Sequence, residues 1–124
     1  MTVSINVIGV PKVQAMLKLA NSKVTLVANS AIKQAGFFME GEVKDSIAGH
    51  RAESKSVDTG RFLSSVHSHS PKPGTAIVQS LVEYADKLEF GTSKFGARHH
   101  FRNSAKRNET KLIEFVSAKI KAVI

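Results

Sequence analysis

The hydrophobic pattern of the chain changes period along its length. From Thr2 to Ile8, Val3, Ile5 and Val7 alternate with Ser4 and Asn6, the period-two pattern of a short half-buried strand. Gly9 and Pro11 end it, and Pro11 suits the first turn of a helix. From Pro11 to about Ala48 the spacing becomes helical. Val13, Met16, Leu17, Ala20, Val24, Val27, Ala28, Ala31, Ala35, Phe38, Met39, Val43 and Ile47 advance in steps of mainly three and four. This is one long amphipathic helix, or two in succession with a break at Asn21-Ser22, where both residues prefer caps to helix interiors. Gly36 and Gly41 each weaken a helix by up to about 1 kcal/mol relative to alanine, unless they admit a close neighbour. A face this long exceeds what a small domain covers, so part of it is expected to meet a neighbouring subunit.

The remainder is shorter in rhythm. Gly49 to Val57 is polar, with His50, Arg51, Glu53 and Lys55 among Ser and Gly, and reads as an exposed, mobile loop. Asp58-Thr59-Gly60 is a turn or capping signal. Arg61–Ser70 and Thr75–Val82 read as two strands joined by Pro71-Lys72-Pro73-Gly74 into a hairpin. Tyr84 to Phe90 reads as a short helical turn closed by Gly91, Thr92 to His99 as a loop, and Phe101 to Ile124 as a helix. The apolar face of that helix is Phe101, Ala105, Leu112, Ile113, Val116, Ile120 and Val123. No internal repeat or linker divides the chain. The expected fold is α+β: a single domain over residues 1–124, with a small, mostly antiparallel sheet (the N-terminal strand plus the hairpin) packed with a long N-terminal helix and a C-terminal helix.

Charge adds a lead. The chain has 124 residues and a formal net charge of +8, and its basic balance favours an anionic partner. The cations of the C-terminal third include Lys94, Arg98, Arg102, Lys106 and Arg107, candidates for phosphate contacts without sequence preference. Aromatic residues for base stacking are scarce there. Cysteine is absent, which removes disulfides, thiolate metal sites and cysteine nucleophiles together. Met1 to Val10 does not read as a signal peptide, and no apolar stretch approaches the roughly 20 residues that span a bilayer. A soluble protein without membrane contact is expected.

Catalysis has no positive support in the sequence. Asp58-Thr59-Gly60 occurs in aspartic proteases, which pair two aspartates at the centre of a dimeric or two-lobed, nearly all-β fold. This chain has two substantial helical stretches instead. His67 and His69 share one side of a predicted strand, and the adjacent His99 and His100 cannot easily aim at one ion, so no metal site is expected. Ser64 and Ser65 lack a nucleophile setting, and no glycine-rich phosphate loop occurs. No cofactor and no enzymatic activity are expected.

Three segments in order carry a resemblance: Val57-Asp58-Thr59-Gly60-Arg61-Phe62-Leu63-Ser64-Ser65-Val66, then Tyr84-Ala85-Asp86-Lys87-Leu88-Glu89-Phe90-Gly91-Thr92, then Ala97-Arg98-His99-His100-Phe101-Arg102-Asn103-Ser104-Ala105. Together they resemble the gene-product-ten-like family of tailed phages typified by HK-ninety-seven, known as neck, tail-completion or head–tail joining proteins. The likeness covers roughly the last two-thirds of the chain. It departs after Ala97-Arg98, where the family's Pro-Phe gives way to His99-His100. The resemblance implies a structural virion protein located at the head–tail junction and in the host cytoplasm during assembly. It would form a ring with itself, a hexamer or dodecamer, between connector or head-completion proteins and the tail-tube or tail-terminator proteins, with non-specific contact to packaged DNA. Asp58, Thr59, Gly60, Arg61, Tyr84, Glu89, Phe90, Gly91, Thr92, Ala97 and Arg98 would then shape fold and interface. In that reading Asp58 and Thr59 cap the turn, Gly60 takes a positive φ, Glu89 pairs with Arg61 or Arg98, and the 49–57 and 92–100 loops order on assembly. The alternative is a basic nucleic-acid-binding protein, distinguished by the salt dependence of its binding.

Overall fold

A computed structural model describes residues 3–6, 22–57, 60–94 and 96–123. The expected helix over 11–21, the strand residues at positions 2, 7 and 8, and the caps at Asp58 and Thr59 lie outside the described residues. Two helices form the body. Helix α1 is Ser22–Ile47 and helix α4 is His100–Lys121. Between them in sequence come α2 (Arg61–Ser65), β2 (His67–His69), β3 (Ile77–Ser80) and α3 (Ala85–Phe90). Strands β2 and β3 form a two-stranded antiparallel hairpin, His67 opposite Gln79 and His69 opposite Ile77. Along the other edge of β3 the backbone of β1 (Val3–Asn6) runs antiparallel, Val3 opposite Ser80 and Asn6 opposite Ile77.

The helical spacing of α1 becomes its packing. Val24, Ala28, Ala31, Ala35, Met39, Val43 and Ile47 are buried, together with Ile32. They meet Phe101, Leu112, Val116 and Ile120 of α4 on one side and Ala76 and Val78 of the hairpin on the other. Contacts of Ser46 with His100 and of Ala35 and Phe38 with the Leu112 region set the two helices antiparallel. Gly36 lies where Ser68 and Ala76 press onto α1, so a Cβ there would collide with them. Gly41 faces open space. Ile113, expected on the apolar face of α4, is instead 52% exposed.

Three expectations are corrected. Arg61–Ser65 is helical, not extended, and the strand is only His67–His69. Phe62 and Val66 are both buried and four residues apart, a spacing that falls on one face of a helix and of a strand alike, so their burial fits either conformation. Gly60 does take a positive φ, 84°, just before that turn. Second, the segment 49–57 is not simply exposed, because Glu53 is buried and ties it to α4. Third, Glu89 pairs with neither Arg61 nor Arg98 but with main-chain N–H groups at the start of α4.

Candidate functional site

The second and third resemblance segments meet at the N-terminus of α4. That helix starts without a side-chain cap of its own, since His99 stands at its N-cap with φ 50° and makes no capping hydrogen bond. The first backbone N–H groups of a helix need acceptors. Glu89 of α3 supplies them: its carboxylate accepts the N–H of Phe101 at 2.9 Å and that of Arg102 at 3.0 Å. The backbones run together here as well, with Arg98 N–H donating to the Leu88 carbonyl and His99 N–H to the Glu89 carbonyl. Gly91 closes α3 with φ 81°, its N–H on the Lys87 carbonyl. A Cβ on Gly91 would lie 2.6 Å from the Ala97 nitrogen, so only glycine lets the returning chain pass. Glu89, Gly91 and Ala97 thus build one joint. Thr92 makes a local turn, its hydroxyl accepting the Lys94 N–H.

Behind this joint lies a directed hydrogen-bond chain that ties the 49–57 segment to both long helices. The Ser46 hydroxyl donates to Glu53 at 2.5 Å, so it accepts from His100 Nδ1 at 2.8 Å. His100 Nε2 then accepts from the Ser56 hydroxyl at 2.7 Å, and Ser56 accepts from Arg98 at 2.8 Å. Glu53 also receives Asn103 and both terminal nitrogens of Arg107. Burial works to raise the Glu53 pKa, but the hydrogen bonds from Arg107, Ser46 and Asn103 outweigh it and hold the group at about 2. His100 is fully enclosed, and burial lowers its pKa to about 4, Glu53 opposing and Arg98 adding to the shift. The imidazole is therefore neutral at pH 7.

Residues of all three segments line one open cleft of about 540 Å³: Gly60, Arg61, Tyr84 and Arg98, with Phe62 and Leu88 between them. Arg61 binds Glu83 through two nitrogens at 2.9 Å each and lies 5.8 Å from the Tyr84 ring centroid. Arg98 reaches the Lys55 carbonyl and Ser56. Ser56 against His100 superficially resembles a nucleophile and its base. A histidine with a pKa near 4 is a weak base at neutral pH, and this one is oriented through a serine, not directly by a carboxylate. The arrangement fastens a loop more readily than it moves a proton.

The predicted DNA-facing cations separate into two groups. Arg98 and Arg107 are committed to the internal contacts above. Lys94, Arg102 and Lys106 are exposed. No group of histidine and acidic side chains among the described residues could hold a metal ion. No helix there is long and apolar enough to cross a membrane. Sequence reasoning missed Glu53, Ser46 and His100. The only signal was a glutamate in an otherwise loop-like run, which does not reveal a partner 54 residues away. Compared with known proteins, the chain matches no family profile, no curated protein and no solved structure.

Proposed function

We propose that this chain is a structural virion protein of a tailed phage or prophage, a neck or tail-completion component. In this reading it forms a ring of six or twelve copies that joins the connector to the tail. The observation that carries the reading is the use to which the resemblance segments are put. Glu89 caps α4, Gly91 admits the chain at Ala97, and Gly60, Arg61, Tyr84 and Arg98 surround one cleft. Three separated motifs that converge on a joint, with a weak and enclosed base beside it, are what a fold-shaping pattern requires and what a catalytic pattern does not. Large apolar residues left on the surface supply material for subunit contacts: Leu26 is 70% and Phe37 63% exposed. The two lie eleven residues apart, about three turns, and so share one outward face of α1. The test is the mass of the purified protein by light scattering over a concentration range at low and high salt, followed by imaging. Discrete multimers that survive salt support the ring, and a monomer under every condition refutes self-assembly.

A second reading, non-specific nucleic-acid binding, is favoured by one observation. Arg102 and Lys106 are exposed one turn apart on α4, and neither has a carboxylate partner among the described residues. The two readings are compatible if that face of α4 lines the lumen of the ring. Arg102→Ala with Lys106→Ala is then expected to reduce the slope of log affinity against log salt by about 2, because each phosphate contact contributes roughly 0.9.

A further inference from the structure

The surface carries a socket and a knob at opposite parts of α4. The socket is a small apolar hollow between the long helices, about 100 Å³, lined by Gln34, Ala35 and Phe38 of α1 and by Lys111, Leu112 and Phe115 of α4. A closed cavity of about 150 Å³ takes one benzene; at about 100 Å³ and open to solvent, this hollow receives part of one aromatic ring and no more. Its rim is cationic: the Lys111 ammonium lies 4.7 Å from the Phe38 ring centroid and has no carboxylate partner among the described residues.

The knob is Phe90. It is 67% exposed, more than any other aromatic side chain among the described residues, and its only ring contact there is the edge of His99 at the start of α4. Asp86 stands one helical turn before it and so shares its face of α3. Asp86 is half-buried and has no cationic partner among the described residues; its Oδ1 is enclosed, which leaves Oδ2 as the oxygen open to a neighbour. Knob and socket are about 18 Å apart along α4, from residue 100 to residue 112 at 1.5 Å per residue. One subunit cannot join them to each other.

We propose that Phe90 of one copy enters the Phe38–Phe115 socket of the next, with Asp86 against Lys111. This rests on the ring reading above and deepens it by naming the contact. Two unlike patches make a head-to-tail interface, which closes into a ring or runs on as a filament. Phe37 does not fit the part as well. It neighbours the socket on the same helix, so a contact made by it would be self-complementary and stop at a dimer. Charge selects the same occupant: a cationic rim meets an aromatic side chain flanked by an unpaired acid.

The chain has no cysteine, so disulfide trapping starts from a clean background. A chain carrying Asp86→Cys is mixed with one carrying Lys111→Cys and oxidised. The expected product is a cross-linked dimer of the two, while the double variant alone gives a ladder of higher multimers. Adding Phe90→Ala to the double variant weakens association by about tenfold or more, as for an interface anchor, and removes the ladder. Its thermal melt stays near that of the parent, because Phe90 is outside the core. A ladder that persists without Phe90, or no cross-link between the cysteine variants when the wild-type protein is multimeric by light scattering, overturns this contact and leaves the ring reading standing. A wild-type protein that is monomeric throughout overturns both.

Discussion

Replacing Glu89 by alanine tests whether the family-like segments act through structure. Glu89 is 2% exposed and holds two N–H groups at the start of a 22-residue helix. Each hydrogen bond to a charged group contributes about 1.5 kcal/mol or more, and an anion at a helix N-terminus adds roughly 0.5–1 kcal/mol through the dipole. Relief of the carboxylate's own burial cost offsets part of this. The expected net loss for Glu89→Ala is about 3 kcal/mol. For a domain of this size that lowers Tm by roughly 10 °C. Glu89→Gln keeps one acceptor and turns a donor toward the second N–H, so it should lose about 2 kcal/mol. Urea unfolding followed by circular dichroism, with linear extrapolation to water, measures both. A loss below about 1 kcal/mol for the alanine variant, or a glutamine variant as stable as wild type, would refute the capping role.

Three further outcomes are expected. The glycines of α1 should respond with opposite signs: Gly41→Ala faces open space and stabilises by about 0.5–1 kcal/mol, whereas Gly36→Ala meets Ser68 and Ala76 and destabilises by about 1–3 kcal/mol in thermal melts. His100 binds its proton less readily when folded, so between pH 6.5 and about 4 the unfolded chain holds more protons, and stability falls as pH is lowered through that window. The loss is up to about 3 kcal/mol, and in His100→Gln the slope of stability against pH should vanish in the upper part of that window, above about pH 5.5, below which the lowered pKa of Glu53 adds a dependence of the same sign, as denaturant titrations at stepped pH would show. Arg107→Ala leaves the Glu53 carboxylate buried with only Ser46 and Asn103, and because Arg107 is one-third exposed the expected cost is about 2 kcal/mol, below the range for a fully buried pair; an unchanged unfolding midpoint would contradict it.

Periodicity carried the helices because burial and spacing are the same fact there. From Val24 to Ile47 the three-and-four pattern is the buried face, with Phe38 alone well exposed at its margin beside α4. The end of α3 was legible for a similar reason: a glycine after a short apolar turn has one common use, and Gly91 takes it. The failures share a cause. Arg61–Ser65 looks extended in the sequence because the alternation at His67 continues backward across Val66, and five residues hold too few turns to show a helical period. The role of Glu89 is hidden because a carboxylate in a set of segments that also contains Arg61 and Arg98 suggests an ion pair, whereas its real partners are main-chain groups that every sequence possesses. The Glu53–Ser46–His100 chain was invisible because its members are 7 and 54 residues apart and each is unremarkable locally.

These uses decide where function can be tested. A substitution at Glu89, Gly91, His100 or Glu53 would disturb the α4 joint or the loop fastened to it, so lost assembly in such a variant would report lost folding and nothing more. The informative positions are exposed side chains that no carboxylate engages among the described residues: Phe90 and Lys111 for self-association, Arg102 and Lys106 for phosphate contact. Because Phe90 lies inside a resemblance segment while Lys111 lies outside all three, a contact between them would tie a motif residue to an unmarked surface of the next copy. Phe90→Ala and Lys111→Glu should then each weaken self-association while melting near wild type, and Asp86→Lys should restore it when combined with Lys111→Glu. Restoration by the reversed pair is the outcome that general surface stickiness cannot produce, since stickiness has no preference for which charge stands on which side.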